Sequence, residues 1–412
     1  MSVAQAVRPT LARVRAGSTL LGPAFVAAIA YVDPGNVASN ISAGARFGYL
    51  LVWVIVAANV MAGLVQFLSA KLGLVTGLSL PEALRERLPR TGRLGYWLQA
   101  EFVAIATDLA EVVGGAIALN LLFGLPLLLG GVITGAVSMG LLLVQDKRGQ
   151  RTFERVITGF LVIIAVGFLA SLFVAPPSTA ETMAGLLPRF AGADSVLIAA
   201  AMLGATVMPH AVYLHSALAR DRHGHPAPSQ RARFLRATRT DVGLAMVLAG
   251  AVNLSMLLLA ASTLRGKDGV DSIEGAHAAV GQTLGPGLAL LFAVGLLASG
   301  LASTSVGAYA GAMIMQGLLR KRIPLLLRRL ITLTPALVVL ALGVHPSQAL
   351  VVSQVVLSFG IPFALVPLIR LTSDRELMGE DANQPVTTLL GWVVAGVIVT
   401  LNVALIYLTF AD

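Results

Sequence analysis

The 412-residue chain has no cysteine and carries charge on only 12% of its residues. Without cysteine there is no disulfide framework and no thiolate metal centre, and the redox compartment is left open. Soluble domains carry charge on about a quarter of their residues, so a water-soluble globule is excluded. No low-complexity tract, separable soluble domain, nucleophile–base set or nucleotide-binding loop is present. An enzyme is therefore not expected.

What is present is apolar. Hydrophobic residues make up 57% of the chain, in runs of roughly twenty that recur from Leu20 to Phe410. Each run is long enough to cross a bilayer as a helix, and the short alternating segments of a membrane β-barrel are missing. The spacing predicts spans at 20–44, 48–75, 94–123, 125–144, 153–175, 194–219, 236–264, 286–318, 324–343, 347–370 and 387–410. That is an all-α polytopic membrane protein with eleven transmembrane helices, forming one transmembrane domain over 1–412. A cleavable signal peptide ending at Ala28-Ile29-Ala30 is the alternative reading of the first run. The residues that follow it reappear later in the chain, which favours a retained span.

The formal charge of +9 is distributed by side. With the N-terminus inside, only Arg46, Arg189, Arg265 and Lys267 fall outside; the other 25 of 29 Lys and Arg, beginning with Arg8, Arg13 and Arg15, fall within. This bias predicts a cytoplasmic N-terminus in a plasma or inner membrane, with the C-terminus outside after eleven spans. The basic loops are read as topological signals, and no nucleic-acid partner is expected.

Two spans are interrupted by the same pattern, A-x-V-x-P. The first carries Ala30-Tyr31-Val32-Asp33-Pro34 and the sixth Ala205-Thr206-Val207-Met208-Pro209. An offset of five spans makes the two run in opposite directions. The prediction is an inverted 5+5 repeat, 20–175 against 194–370, with the span at 387–410 appended. Broken helices at equivalent positions point to a transporter's central site.

Pro34 and Pro209 remove backbone donors and strand the carbonyls near Ala30 and Ala205. Two half-helix C-termini then direct partial negative charge to one place, which favours a cation. Asp33 adds a formal charge, Asn36 a neutral oxygen and Met208 a soft thioether. An isolated membrane methionine is ordinarily packing; beside Pro209 and matched to Asp33, it suits Mn²⁺ or Fe²⁺ better than Mg²⁺ or Ca²⁺. In the third span, Glu101, Asp108 and Glu111 share one helix face. With His210 they are the material of a proton path, or else of a static ion-pair network with Arg328 and Arg329. His215 lies about 140° round the helix from His210, which argues against a paired-histidine metal site. Gln354, taken alone, reads as an interhelical hydrogen bond.

Asp33-Pro34-Gly35-Asn36 in a first span, with Met208-Pro209-His210 in a sixth, resembles the signature of the Nramp (natural resistance-associated macrophage protein) family, bacterial manganese-transporter type. The resemblance covers most of the chain. It implies the inverted-repeat fold of amino-acid and sodium symporters, and uptake of divalent transition metals with protons. It also implies that Asp33, Asn36 and Met208 are side-chain ligands, with carbonyls from Ala30, Ala205 and Tyr31, and that Gln354 closes on the metal. His210, Asp108, Glu111 and Glu101 match the family's proton-pathway positions, and Arg328-Arg329 the basic pair that ends it. The chain departs from twelve-span members in stopping at eleven.

The expected function is proton-coupled import of Mn²⁺, Fe²⁺ and other transition ions by alternating access, with Asp33 as the coupling residue. Metal ions, protons and the bilayer are the expected partners of a monomer without a resident cofactor. The rivals are a sodium- or proton-coupled symporter of small organic solutes, a Mg²⁺-transporting relative, and a passive metal conduit.

Overall fold

The computed structural model describes residues 22–411 apart from Asp268 and Asp271, and omits the side chains of Gln348, Val351 and residues 408–411. Arg8, Arg13, Arg15 and most of the possible leader lie outside the described residues. Among those described there are helices and turns and no strand.

The first span is two helices, α1 (Pro23–Ala28) and α2 (Pro34–Phe47), joined through a tight turn at Ile29–Tyr31. Both begin on a proline at the first helical position, where the missing N–H costs nothing and the fixed φ is already helical. Asp33 caps α2: its carboxylate accepts the Asn36 N–H at 2.8 Å. The sixth span repeats the device in α9 (Ala193–Thr206) and α10 (Pro209–His223), with extended backbone at Met208 between them.

The first repeat continues with α3 (Val52–Thr76), the short α4 (Leu80–Arg87), α5 (Arg90–Phe123), α6 (Leu127–Arg148), α7 (Gln150–Val174) and the short α8 (Thr179–Ala184). After α10 come α11 (Pro228–Thr263), the short α12 (Ile273–Leu284), α13 (Pro286–Leu319), α14 (Leu325–Ala341) and α15 (Pro346–Ser373). The four-residue α16 (Arg375–Met378) precedes α17 (Pro385–Ala411), the appended span.

Eleven crossings result. Nine described helical spans are long and apolar enough to cross a membrane by themselves. The two not among them are the first, whose helices of 6 and 14 residues are separated by the turn at Ile29–Tyr31, and the ninth, α14, which has 17 residues. The expected boundaries shift most at the seventh span, which starts at Pro228 rather than 236; the third starts at Arg90 rather than 94. Hydropathy registers only the lipid-matched part, while both helices carry polar, arginine-bearing turns beyond it.

Small residues let the central helices approach closely. A Cβ on Gly300 of α13 would stand 2.8 Å from the Gly115 amide nitrogen of α5. One on Gly114 would stand 2.2 Å from the Cβ of Pro34. The start of α2 is thus seated directly against the α5 backbone, at the place where the first span is broken.

Candidate functional site

The two breaks meet. Asn36, in the first turn of α2, donates from Nδ2 to Asp33 Oδ1 at 2.7 Å and to the Ala205 carbonyl at 2.8 Å. That carbonyl is one of the pair Pro34 and Pro209 were expected to strand. Its helical donor would have been the nitrogen of Pro209, and a side chain from the other break takes the place. Thr206 donates to Asn36 Oδ1 at 3.3 Å. Asp33, Asn36, Ala30, Ala205 and Met208 are all fully buried.

Burying a carboxylate is costly unless its oxygens are satisfied. Asp33 Oδ1 has two donors from Asn36, whereas Asp33 Oδ2 has no hydrogen-bond partner. Gln354, on α15, lies against the same break: a Cβ on Gly35 would be 2.0 Å from its Nε2. Neither Gln354 Nε2 nor Oε1 has a partner. One carboxylate oxygen and the Gln354 amide are therefore buried without partners beside the Asn36–Ala205 link, with Met208 buried at the facing break. That set suits a divalent cation that tolerates sulfur.

Tyr31 is differently engaged. Its carbonyl accepts from Asn253 Nδ2 of α11 at 2.7 Å, and Asn253 Oδ1 accepts from Asn40 at 2.9 Å. The Val32 carbonyl accepts from Ser299 Oγ at 2.6 Å. The unwound backbone is thus held by polar side chains of α11 and α13, as broken backbone at membrane depth requires. Asn253 and Ser299 escaped the sequence reading. A lone asparagine in the apolar run of α11 was the available signal.

The third-span carboxylates divide between partners. Glu101 pairs with Arg328 at 2.8 Å, and Asp108 with Arg329. Thr304 donates to Asp108 at 2.5 Å, and the fully buried Arg329 also donates to Ser138 and Thr304, each at 2.8 Å. Glu111 lies one turn beyond Asp108. It is buried against Gly307 of α13, and neither of its carboxylate oxygens has a hydrogen-bond partner. The ion pairs expected of a network with Arg328 and Arg329 are present, and an unpaired carboxylate lies beside them.

His210, in the first turn of α10, is buried with both ring nitrogens unpartnered. His215 instead meets Gln66 of α3 at 2.7 Å, and Gln66 reaches the Tyr31 hydroxyl. Asp241 of α11, also not singled out from sequence, accepts the Gly22 and Ala24 N–H groups at 3.0 Å each and so holds the start of α1.

A cleft of about 400 Å³ leads to the site from one end of the molecule. Its walls include Gly35 and Gln354 at the inner end, then Ser39 and Ser42, then Arg46, Ser272 and Glu274. A second cleft, about 680 Å³, opens at the other end between α6, α10, α13 and α14; Arg220, Asp221, Met313 and Arg322 line it, and Arg328 lies within it.

Two broken helices joined through a buried carboxylate and amide, reached by a cleft in a bundle of apolar spans, define a multi-pass membrane transporter. The family model described as "Natural resistance-associated macrophage protein-like" matches residues 24–408, and the chain belongs to the Nramp family. It is 65% identical over 408 residues to the divalent metal cation transporter MntH of Mycobacterium tuberculosis (strain CDC 1551 / Oshkosh), covering 99% of this chain and 95% of that protein. It is 50% identical to the protein of the same name from Bacillus subtilis (strain 168), covering 95% and 92%. The crystal structure of the Eremococcus coleocola manganese transporter, bound to an aromatic bis-isothiourea substituted compound, superposes with a TM-score of 0.86 at 32% identity over 94% of this chain and 86% of that one. A nucleobase-cation-symport-1 family transporter shares the fold, with a TM-score of 0.62 at 18% identity over 94% and 91%. These relatives are transporters, in keeping with the expectation that the chain is not an enzyme.

Proposed function

We propose that this protein imports divalent transition metal ions, Mn²⁺ and Fe²⁺ among them, in symport with protons by alternating access. The observation that carries the reading is the Asn36 side chain joining Asp33 of one break to the Ala205 carbonyl of the other. The site so formed has one buried carboxylate with an unpartnered oxygen, Asn36 as amide, carbonyls at Ala30 and Ala205, and Met208 as sulfur. The names of the relatives, a divalent metal cation transporter and a manganese transporter, support this cargo. Met208 argues against a Mg²⁺ carrier, and the anionic Asp33 would repel the carboxylate of an organic solute.

The positive-inside count puts Arg46 outside, so the cleft past Ser39 and Ser42 is the outer approach and the protein is outward-facing. Gln354, seated on Gly35 with its amide unspent, is placed to close over an arriving ion. Tyr31 would give its carbonyl only after releasing Asn253. Arrival of a divalent charge competes with a proton on Asp33. Glu111 lies within electrostatic reach of both Asp33 and Asp108, so the proton passes along α5 toward Asp108–Arg329 and Glu101–Arg328, with His210 beside the site. The protein acts as a monomer in the plasma or inner membrane, its N-terminus cytoplasmic and its C-terminus outside, its single domain built from the repeats 20–175 and 194–370.

Proteoliposomes offered Mn²⁺, Mg²⁺ or leucine, with internal pH followed, test the whole reading. Mn²⁺ uptake with internal acidification is expected. Leucine uptake would overturn the cargo, and Mn²⁺ uptake without acidification would remove the symport. If Asp108→Asn left both fluxes unchanged, Asp108 would have no part in the relay.

A further inference from the structure

Helix α11 has 36 residues, about 54 Å at 1.5 Å per residue, whereas a bilayer's hydrocarbon core is about 30 Å thick. Its first turns therefore stand in the headgroup layer and beyond. Arg233, Arg236 and Thr240 are exposed along one face, and the same stripe runs on into Leu244 and Val247, exposed by 50% and 70%. Steps of three and four residues keep all five on one side of the helix. Arg239, exposed one step round, lays its guanidinium over the ring of Phe67 on α3, 5.0 Å from the centroid.

The seam between α3 and α11 is fixed by Asn59 of α3, which donates to the Met246 carbonyl at 2.7 Å. Beside it Val60 of α3 is 70% exposed. An apolar stripe thus runs down α11 beside the seam, headed by three exposed arginines. None of the three forms an ion pair among the described residues, whereas Arg231 is committed to Asp381 at 3.4 Å. The nearby carboxylate, Asp241, is turned inward to the Gly22 and Ala24 N–H groups.

We propose that this face of α11 holds an anionic phospholipid, its phosphate on Arg233, Arg236 and Arg239 and its acyl chains along Leu244 and Val247. A topological signal needs only a count of positive residues on one side. Here the charges share a face with the lipid-exposed stripe, at the depth where headgroup phosphates lie. Arginine's planar fork suits a phosphate held by several donors. A lipid held there also steadies the turn from which Asp241 reaches α1.

The full chain, purified in micelles containing phosphatidylglycerol or phosphatidylcholine, tests this by native mass spectrometry and thermal unfolding. The wild type should retain phosphatidylglycerol preferentially and be stabilised by it. At about fivefold per surface charge, R233Q/R236Q/R239Q should bind it on the order of a hundredfold more weakly. The triple lysine variant should keep most of the preference. Should the triple glutamine variant fail to fold, Arg236→Glu alone should still cut retention more than about fivefold. The proposal fails if the charge-removed variant retains the lipid as the wild type does, or if both lipids bind the wild type equally. It fails also if millimolar inorganic phosphate or ATP displaces the lipid, since the patch would then be a site for soluble anions.

Discussion

At the scale of single residues, chemistry separates Met208 from Asp33 although the repeat sets them in equivalent places. Asp33 attracts any cation, whereas the thioether discriminates among them. Met208→Ala is expected to keep Mn²⁺ uptake measurable while raising Mg²⁺ or Ca²⁺ uptake relative to it, read by competition in proteoliposomes; unchanged selectivity would remove sulfur softness from the account. Asn253 does a different service. Its amide satisfies the buried Tyr31 carbonyl, and a buried acceptor left alone costs about 1–3 kcal/mol. Asn253→Ala should therefore lower the unfolding temperature in detergent, while Asn253→Asp should not restore it, because a carboxylate has no N–H to give.

At the scale of elements, both broken spans were legible because proline and glycine in an apolar run have few other uses. The stranded carbonyl at Ala205 was legible for the same reason, since Pro209 cannot donate to it. The partners of the unwound segments were not. Asn253 lies 222 positions from Tyr31 and Asp241 lies 219 from Gly22, and periodicity carries no information over such separations. Short outer elements such as α8 and α12 were also invisible to a search for twenty-residue apolar runs.

The loop helix α4 offers a test outside the membrane. Its cap residue Ser79 and Arg220 both engage Glu82. Burial alone would raise the Glu82 carboxyl, but the Ser79 hydrogen bonds and the Arg220 charge outweigh it and hold it below the ordinary carboxylate range. A depressed folded value means stability that is present above the unfolded value of about 4.3 and lost as pH falls through the folded one. Thermal unfolding between pH 6 and about 3 should thus show a loss at the acid end that Glu82→Gln largely abolishes. An equal loss in that variant would assign the effect to other carboxylates.

For the whole molecule, the lack of native cysteine makes every introduced thiol a unique reporter. Ser42→Cys lies in the cleft that reaches the site, and Met313→Cys in the cleft at the opposite end. A membrane-impermeant thiol reagent applied to intact cells should label the first and spare the second, and inverted vesicles should reverse the result. The opposite pattern would invert the sidedness drawn from the arginines. Excess Mn²⁺ should slow labelling at position 42, since an ion held as proposed by Asp33 and Gln354 would narrow that approach.

The Asn36 amide has one more implication. Its N–H bonds go to Asp33 and to the Ala205 carbonyl, two groups proposed as ligands, so its nitrogen stands where a cation's charge would be felt. In the proposed reading the amide would keep the two half-helices in register until an ion arrives. To become a ligand it must turn over, offering Oδ1 to the ion and its nitrogen to Thr206. Occupancy would then be recorded in the sense of a single rotamer, and an ion that could not drive that turn would pass as if the site were already taken.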